Sequence, residues 1–146
     1  MRSAEPAPPR TVALALLADL AAVARMSVNE RYRLALAELR FGLTSMRVEG
    51  KLEHFHSAQI EESRTTSPPE RSLRLAQEVT TLAASLPADS FNAIFVRCDA
   101  GRLDVMKALV AGAEGTPYAH GLFEYHLLLP ANYPFAPPLC NLETTG

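Results

Sequence analysis

The sequence predicts an α+β fold, and three observations carry that prediction. A well-capped amphipathic helix begins near residue 67, the hydrophobic period turns strand-like after Pro87, and four short apolar runs joined by short loops follow. Sequential strands with short connections pair antiparallel, so the four runs are expected to form a meander. A helical extension is expected upstream.

Taken in order, residues 1–10 are proline-rich (Pro6, Pro8, Pro9) and hold little that builds a core, so they are expected to be a disordered arm. Residues 11–62 are expected to form a helical extension. Thr11 is positioned to cap a first helix that ends near Met26 and Ser27. Asn29 is positioned to cap a second, with Tyr32, Leu36 and Leu39 on one stripe and Gly42 at its end. Between Leu43 and Glu62 the pattern is weak, and Val48, Leu52 and Phe55 suggest a short hairpin around Glu49-Gly50.

Residues 63–69, Ser-Arg-Thr-Thr-Ser-Pro-Pro, read as a linker. Ser67 then suits an N-cap, Pro68 the first helical position and Glu70 the reciprocal place of a capping box. Leu73, Ala76, Val79, Leu82, Ala83 and Leu86 make an apolar stripe, and Pro87 closes the helix. Beyond it, strands are expected over Ile94–Cys98, Leu103–Val110, Leu122–Leu129 and Leu139–Glu143, with a turn at Asp99-Ala100-Gly101. In the third strand Phe123, Tyr125, Leu127 and Leu129 share one face, with Glu124 and His126 on the other.

Composition narrows the function classes. The chain has 146 residues, a net charge of −2 and a pI near 6.1, with no basic run to follow a phosphate backbone, so a protein partner is expected and nucleic acid is not. No apolar stretch approaches the ~20 residues that span a bilayer, so no membrane partner is expected. Val12–Met26, preceded by Arg2 and Arg10 and containing Ala22-Val23-Ala24, has some features of a secretory leader, but Asp19 in its centre and the prolines before Arg10 favour an ordinary helix. The two cysteines, Cys98 and Cys140, form no disulfide framework or metal spacing and point to a reducing, cytoplasmic setting. Both read as buried structural thiols without an activating neighbour. His54-x-His56 has the spacing of a metal pair on a strand but lacks a third ligand nearby, so no metal is expected. His120 and His126 read as surface or packing histidines.

Several motifs then occur in order. Gly115-Thr116-Pro117-Tyr118-Ala119-His120-Gly121 leads into Phe123-Glu124-Tyr125-His126-Leu127, followed by Pro130 and by Tyr133-Pro134-Phe135-Ala136-Pro137-Pro138. The helix carries Arg74, Glu78, Leu82-Ala83 and Pro87. Residues 67–146 resemble the first half of the conjugating domain of ubiquitin-conjugating enzymes. Phe95-Val96-Arg97-Cys98-Asp99 and Asn141-Leu142-Glu143-Thr144-Thr145-Gly146 are similar to that domain in the giant inhibitor-of-apoptosis-type members. The segment Arg31–His56 is compatible with the region upstream of it. Gly121 is expected to hold a backbone conformation closed to other residues, and one Xaa-Pro bond of the proline-rich turn to be cis.

The resemblance implies an incomplete ubiquitin-conjugating domain over residues 70–146 and a role in ubiquitin transfer, with ubiquitin, its activating enzyme and a ubiquitin ligase as partners and no cofactor. The family's acceptor cysteine follows the fourth strand, where this sequence ends, so no catalytic residue is assigned and the chain itself is not expected to carry out thioester transfer. An alternative is a non-catalytic module that binds ubiquitin or a ligase; a third reading is a partial product whose parent holds the remainder. By resemblance, Phe135 with Pro134 and Pro138 fall where the family meets ligases, and Arg71 and Arg74 where it meets the activating enzyme. An aromatic anchor on a stiff loop suits a hot spot, although such a residue also caps local cores. Arg71 and Arg74 are expected on the exposed helix face, where plain solvation is the other reading. The face carrying Phe123, Tyr125, Leu127 and Leu129 is expected to lack part of its cover, which the helices at 11–41 are candidates to supply.

Overall fold

The computed structural model describes residues 9–63 and 68–143. Helix α1 spans Pro9–Arg25 and helix α2 spans Val28–Leu36, followed by a 3₁₀ turn over Ala37–Leu39. Thr11 therefore lies inside α1 and does not cap it. The cap of α2 is Ser27, whose hydroxyl accepts from Glu30 N–H at 3.2 Å while the Glu30 carboxylate accepts from Ser27 N–H at 2.7 Å. Asn29, the expected cap, is used elsewhere: its side-chain oxygen accepts from the backbone N–H of Ser90 at 3.1 Å. With the 2.7 Å bond from Arg33 Nε to Asp89, it fastens α2 to the edge of the sheet.

The segment expected to be helical also contributes strands. Strand β1, Phe41–Thr44, contains Gly42 and pairs parallel with a strand more than fifty residues later. Strands β2, Arg47–Val48, and β3, Lys51–Leu52, form the expected hairpin, with Glu49 and Gly50 both at positive φ, as a tight two-residue turn requires. A short helix α3, Ser57–Glu62, follows.

Helix α4 runs Pro69–Ser85, one residue later than expected. Pro68 precedes it in extended backbone, and Ser67, the expected cap, lies outside the described residues. Strands β4 Ala88–Asp89, β5 Asn92–Asp99, β6 Arg102–Ala111, β7 Leu122–Leu128 and β8 Leu139–Glu143 complete the order. Strands β5 to β8 form the predicted antiparallel meander; β1 adds to the free edge of β5 and β4 pairs with its start. The α+β class holds.

The sheet buries apolar side chains on both faces. On one, Val96, Cys98, Met106 and Ala108 pack with Leu75 and Leu86 of the α4 region, joined by Val79, Leu82, Tyr125 and Leu127. The buried stripe of α4 is thus Arg71 and Leu75 continuing to Val79, Leu82 and Leu86, while Leu73, expected inside, is exposed. Arg71 decides this rotation, because its buried ion pair turns the helix toward the sheet. On the other face Val105 and Leu128 are covered by Met46, Leu52 and Ile60 of the hairpin and α3. The part of the upstream segment that carries Met46, Leu52 and Ile60 therefore lies on the face opposite Tyr125 and Leu127, while Phe41 of β1 packs against the core on their own side. Leu139 and Leu142 on the edge strand β8 stay exposed.

Candidate partner-docking site

The bend between β7 and β8 is built from backbone constraints. Three prolines flank or follow the aromatic at its tip, and Tyr133 N–H donates to Pro130 O and Phe135 N–H to Asn132 O, each at 2.9 Å. Tyr133–Pro134 is the cis bond. At the turn so formed, Phe135 is 94% exposed, so the core-capping alternative is excluded, and Pro134 and Pro138 are exposed beside it. The bend is fixed to α4 through Tyr133, whose hydroxyl donates to the Glu78 carboxylate, and Glu78 in turn accepts from Arg74 Nε at 2.7 Å. Arg74, Gln77, Glu78, Leu127, Tyr133 and Pro138 line a shallow groove between helix and bend.

The two arginines separate in role. Arg74 keeps a half-exposed side chain on the outer face of α4. Arg71 does not: it is buried, and its Nη2 reaches Asp104 Oδ2 at 3.2 Å, Leu129 O at 2.8 Å and Pro130 O at 3.0 Å. A guanidinium presents a rigid fork that satisfies several acceptors at once, so Arg71 clamps the helix to the end of β7 rather than offering its charge to a partner. Arg102 joins from β6, donating to Asp104 Oδ2 at 2.8 Å and to Ile60 O at 2.7 Å. Burial alone would raise the Asp104 carboxyl, but the two guanidinium groups outweigh it and hold it below the usual carboxylate range.

The thiols differ from expectation in one respect. Cys98 is fully buried in β5, and burial, reinforced by the Asp99 and Asp104 charges, pushes it up to about 11. Cys140, expected to be buried, is exposed. It pairs with Leu127 and lies on β8, the edge strand of the sheet. Gly121 is needed for space rather than for φ. A Cβ there would lie 2.9 Å from the Phe123 ring, and the positive φ belongs to its neighbour His120.

The two histidines of the His54-x-His56 pair differ in burial, His54 being enclosed and His56 only partly so. His54 is buried and stacks on His126 with ring centroids 4.7 Å apart. Among the described residues no group of three or more His, Cys, Asp or Glu side chains is arranged to hold a metal. Asp104 and the His54–His126 stack were missed in the sequence, as was the contact of Glu78 with Tyr133. For Asp104 and His126 the one available signal was a charged or titratable side chain at a buried position of a strand.

Comparison with known proteins decides what this scaffold is. The family described as "Ubiquitin-conjugating enzyme" matches residues 74–145, which covers α4 from Arg74 onward, the meander and the bend. The chain belongs to the ubiquitin-conjugating enzyme family. It is 41% identical over 127 residues, 82% of the chain, to the human "Dual E2 ubiquitin-conjugating enzyme/E3 ubiquitin-protein ligase BIRC6". It is also similar to a Caenorhabditis elegans "Probable ubiquitin-conjugating enzyme protein 17", 46% identical over 53% of the chain. An Arabidopsis thaliana "Probable ubiquitin-conjugating enzyme E2 24" is 40% identical over half of it. The chain spans 3% of the human relative, 11% of the nematode one and 8% of the plant one. The human match extends upstream of the family region, since 127 residues cannot be placed within 74–145. In a ubiquitin-conjugating domain, the partners implied by the family are ubiquitin, its activating enzyme and ubiquitin ligases. No helix among the described residues is long and apolar enough to cross a membrane.

Proposed function

We propose that this chain serves ubiquitin transfer as the docking half of a conjugating domain, receiving a ligase at the Phe135 bend and the activating enzyme at the outer face of α4. The observation that carries the reading is Phe135, 94% exposed on a proline-stiffened bend that Tyr133 and Glu78 brace against the helix. A large apolar side chain held in solvent with little freedom to lose is what a binding hot spot requires. Arg74, half-exposed one turn before Glu78, is the arginine available to the activating enzyme; Arg71 supports the helix from within.

The transfer chemistry is assigned to neither thiol of this chain. Thioester formation needs an accessible thiolate with donors for the developing oxyanion. Cys98 is enclosed with its proton held, and Cys140 lies exposed on the edge strand β8. The alternative, a module that holds a ligase or ubiquitin without chemistry, rests on the same exposed bend.

Two measurements test this. Incubation of the full chain with activating enzyme, ATP and ubiquitin is expected to give no reducible ubiquitin adduct; an adduct on Cys140 or Cys98 overturns the assignment of chemistry. Binding to a set of ubiquitin-ligase domains is expected to fall at least about tenfold in Phe135→Ala, the loss of a hot-spot aromatic. Undiminished binding overturns the docking surface.

A further inference from the structure

The pairing of His54 with His126 on the back of the sheet has a geometry that a packing role alone does not require. His126 Nδ1 accepts the backbone N–H of Phe55 at 2.7 Å, which makes it the unprotonated nitrogen, and Nε2–H donates to Glu124 Oε1 at 2.9 Å. His54 has the same tautomer: its Nδ1 accepts His56 N–H at 3.2 Å and its Nε2–H donates to Met106 O at 3.1 Å. Two neutral imidazoles therefore hold two consecutive backbone N–H groups, those of Phe55 and His56, at the entry to α3. A second acceptor waits beside the first, since Glu143 Oε1 on β8 lies 3.4 Å from His126 Nδ1.

We propose that the His54–His126 stack is a proton-operated latch that keeps residues 53–63 on the back of the sheet at neutral pH and frees them in mild acid. One proton is enough. Placed on His126 Nδ1, it removes the lone pair that holds Phe55 N–H, and the new N–H donor turns to Glu143. His126 then lies between the Glu124 and Glu143 carboxylates, and Nε2–H keeps its bond to Glu124. His54 offers no such place for the proton. It is enclosed, with Met106 O already taking its Nε2–H and His126 stacked on it.

The charged groups around the pair set the balance. From β7 comes Glu124, from β8 Glu143, and from β6 Lys107, which donates to Glu124 at 3.1 Å. From the 53–56 turn come Glu53, beside the groove shared with Lys107 and Glu124, and His56, whose ring lies 5.7 Å from His54 and bonds to Gln59. Burial, with the His126, His56 and Lys107 charges, holds His54 below its ordinary value. Release of the Phe55 N–H loosens the turn that leads into α3, and with it Ile60 and Leu52 over Val105 and Leu128, while His54 keeps its hold on the His56 N–H. The switched surface is that apolar patch on the back of the sheet.

The test is amide hydrogen exchange of the full chain between pH 7.5 and 5.0, corrected for intrinsic exchange. Protection at Phe55 is expected to fall at least about tenfold more than at the β5 and β6 amides, as a local opening does. Protection that tracks those strands throughout overturns the proposal. In His126→Asn, whose side-chain oxygen accepts near the Nδ1 position but takes up no proton, the extra loss is expected to vanish; its persistence overturns the role of His126. Should that variant not fold, Glu143→Gln at the exposed edge serves instead. It is expected to move the midpoint of release to lower pH by about half a unit, as loss of a neighbouring carboxylate does, and an unmoved midpoint overturns the proposed second acceptor.

Discussion

Arg71 of α4 and Asp104 of β6 meet at 3.2 Å with both side chains more than nine-tenths buried, and this contact sets which face of the helix meets the sheet. The same guanidinium nitrogen also reaches the carbonyls of Leu129 and Pro130, so helix, central strand and the start of the docking bend share one side chain.

Removal of one member of a buried ion pair leaves charge and carbonyls without a donor. Arg71→Ala is expected to lower the unfolding free energy by about 3 kcal/mol, less than a wholly unpaired carboxylate because Arg102 remains beside Asp104. Arg71→Lys recovers less than half of this, since an ammonium cannot match the fork. Urea unfolding measures both, and a loss under about 1 kcal/mol for the alanine variant contradicts the clamp.

Acid acts on the same contact. Asp104 is held below its ordinary value of 3.8, so its stabilising contribution is complete above that value and is lost as pH falls through the lower folded-state value. Asp104→Asn is expected to flatten the stability profile below about pH 4. A variant whose acid limb overlays the parent's counts against the assignment.

Phe135 contributes to binding and not to folding. With 94% of its surface in solvent, Phe135→Ala is expected to change stability by less than about 0.5 kcal/mol. A larger loss in thermal unfolding places the ring in the core rather than at a docking surface.

The two thiols are expected to label unequally. At pH 8 only about one part in a thousand of Cys98 is thiolate, given its value of about 11, and the side chain is enclosed. Iodoacetamide followed by mass spectrometry should give one adduct, on Cys140, in the native chain and two in denaturant. Native labelling of Cys98 at a comparable rate shows that β5 opens readily.

Gly112 closes the 112–121 loop by donating its N–H to Gly121 O at 2.9 Å, and a Cβ on it would lie 1.8 Å from Tyr118 O. Backbone must move to admit it. Gly112→Ala is expected to destabilise by more than about 2 kcal/mol, with chemical-shift changes centred on residues 112–123. A silent substitution removes the close approach as the reason for glycine.

The elements legible in the sequence are those with local causes. Alternation marked β5 to β8 to within about two residues, a margin common to strand and helix ends. The β8 bounds and the Glu49-Gly50 hairpin matched as read. The Phe135 bend was legible because prolines constrain the backbone wherever they stand. Strand β1 was not, since four residues show no period and its partner begins at Val96. Helix α3 is too short to present a stripe. Leu73 was placed inside and Arg71 outside because burial was read from polarity. An arginine with buried acceptors reverses that rule, and those acceptors, Asp104, Leu129 O and Pro130 O, come from segments at least thirty residues away.

Sequence alone determined the α+β class, the antiparallel meander, the family and the aromatic at the tip of the bend, because each is written in spacing between near neighbours. Tertiary structure alone decided which arginine is available, which cysteine is exposed, which face the upstream segment covers and which histidines meet. Those depend on side chains brought together across strands and helices. The energy of a charge or an imidazole is set by what surrounds it in space, not by what precedes it in the chain.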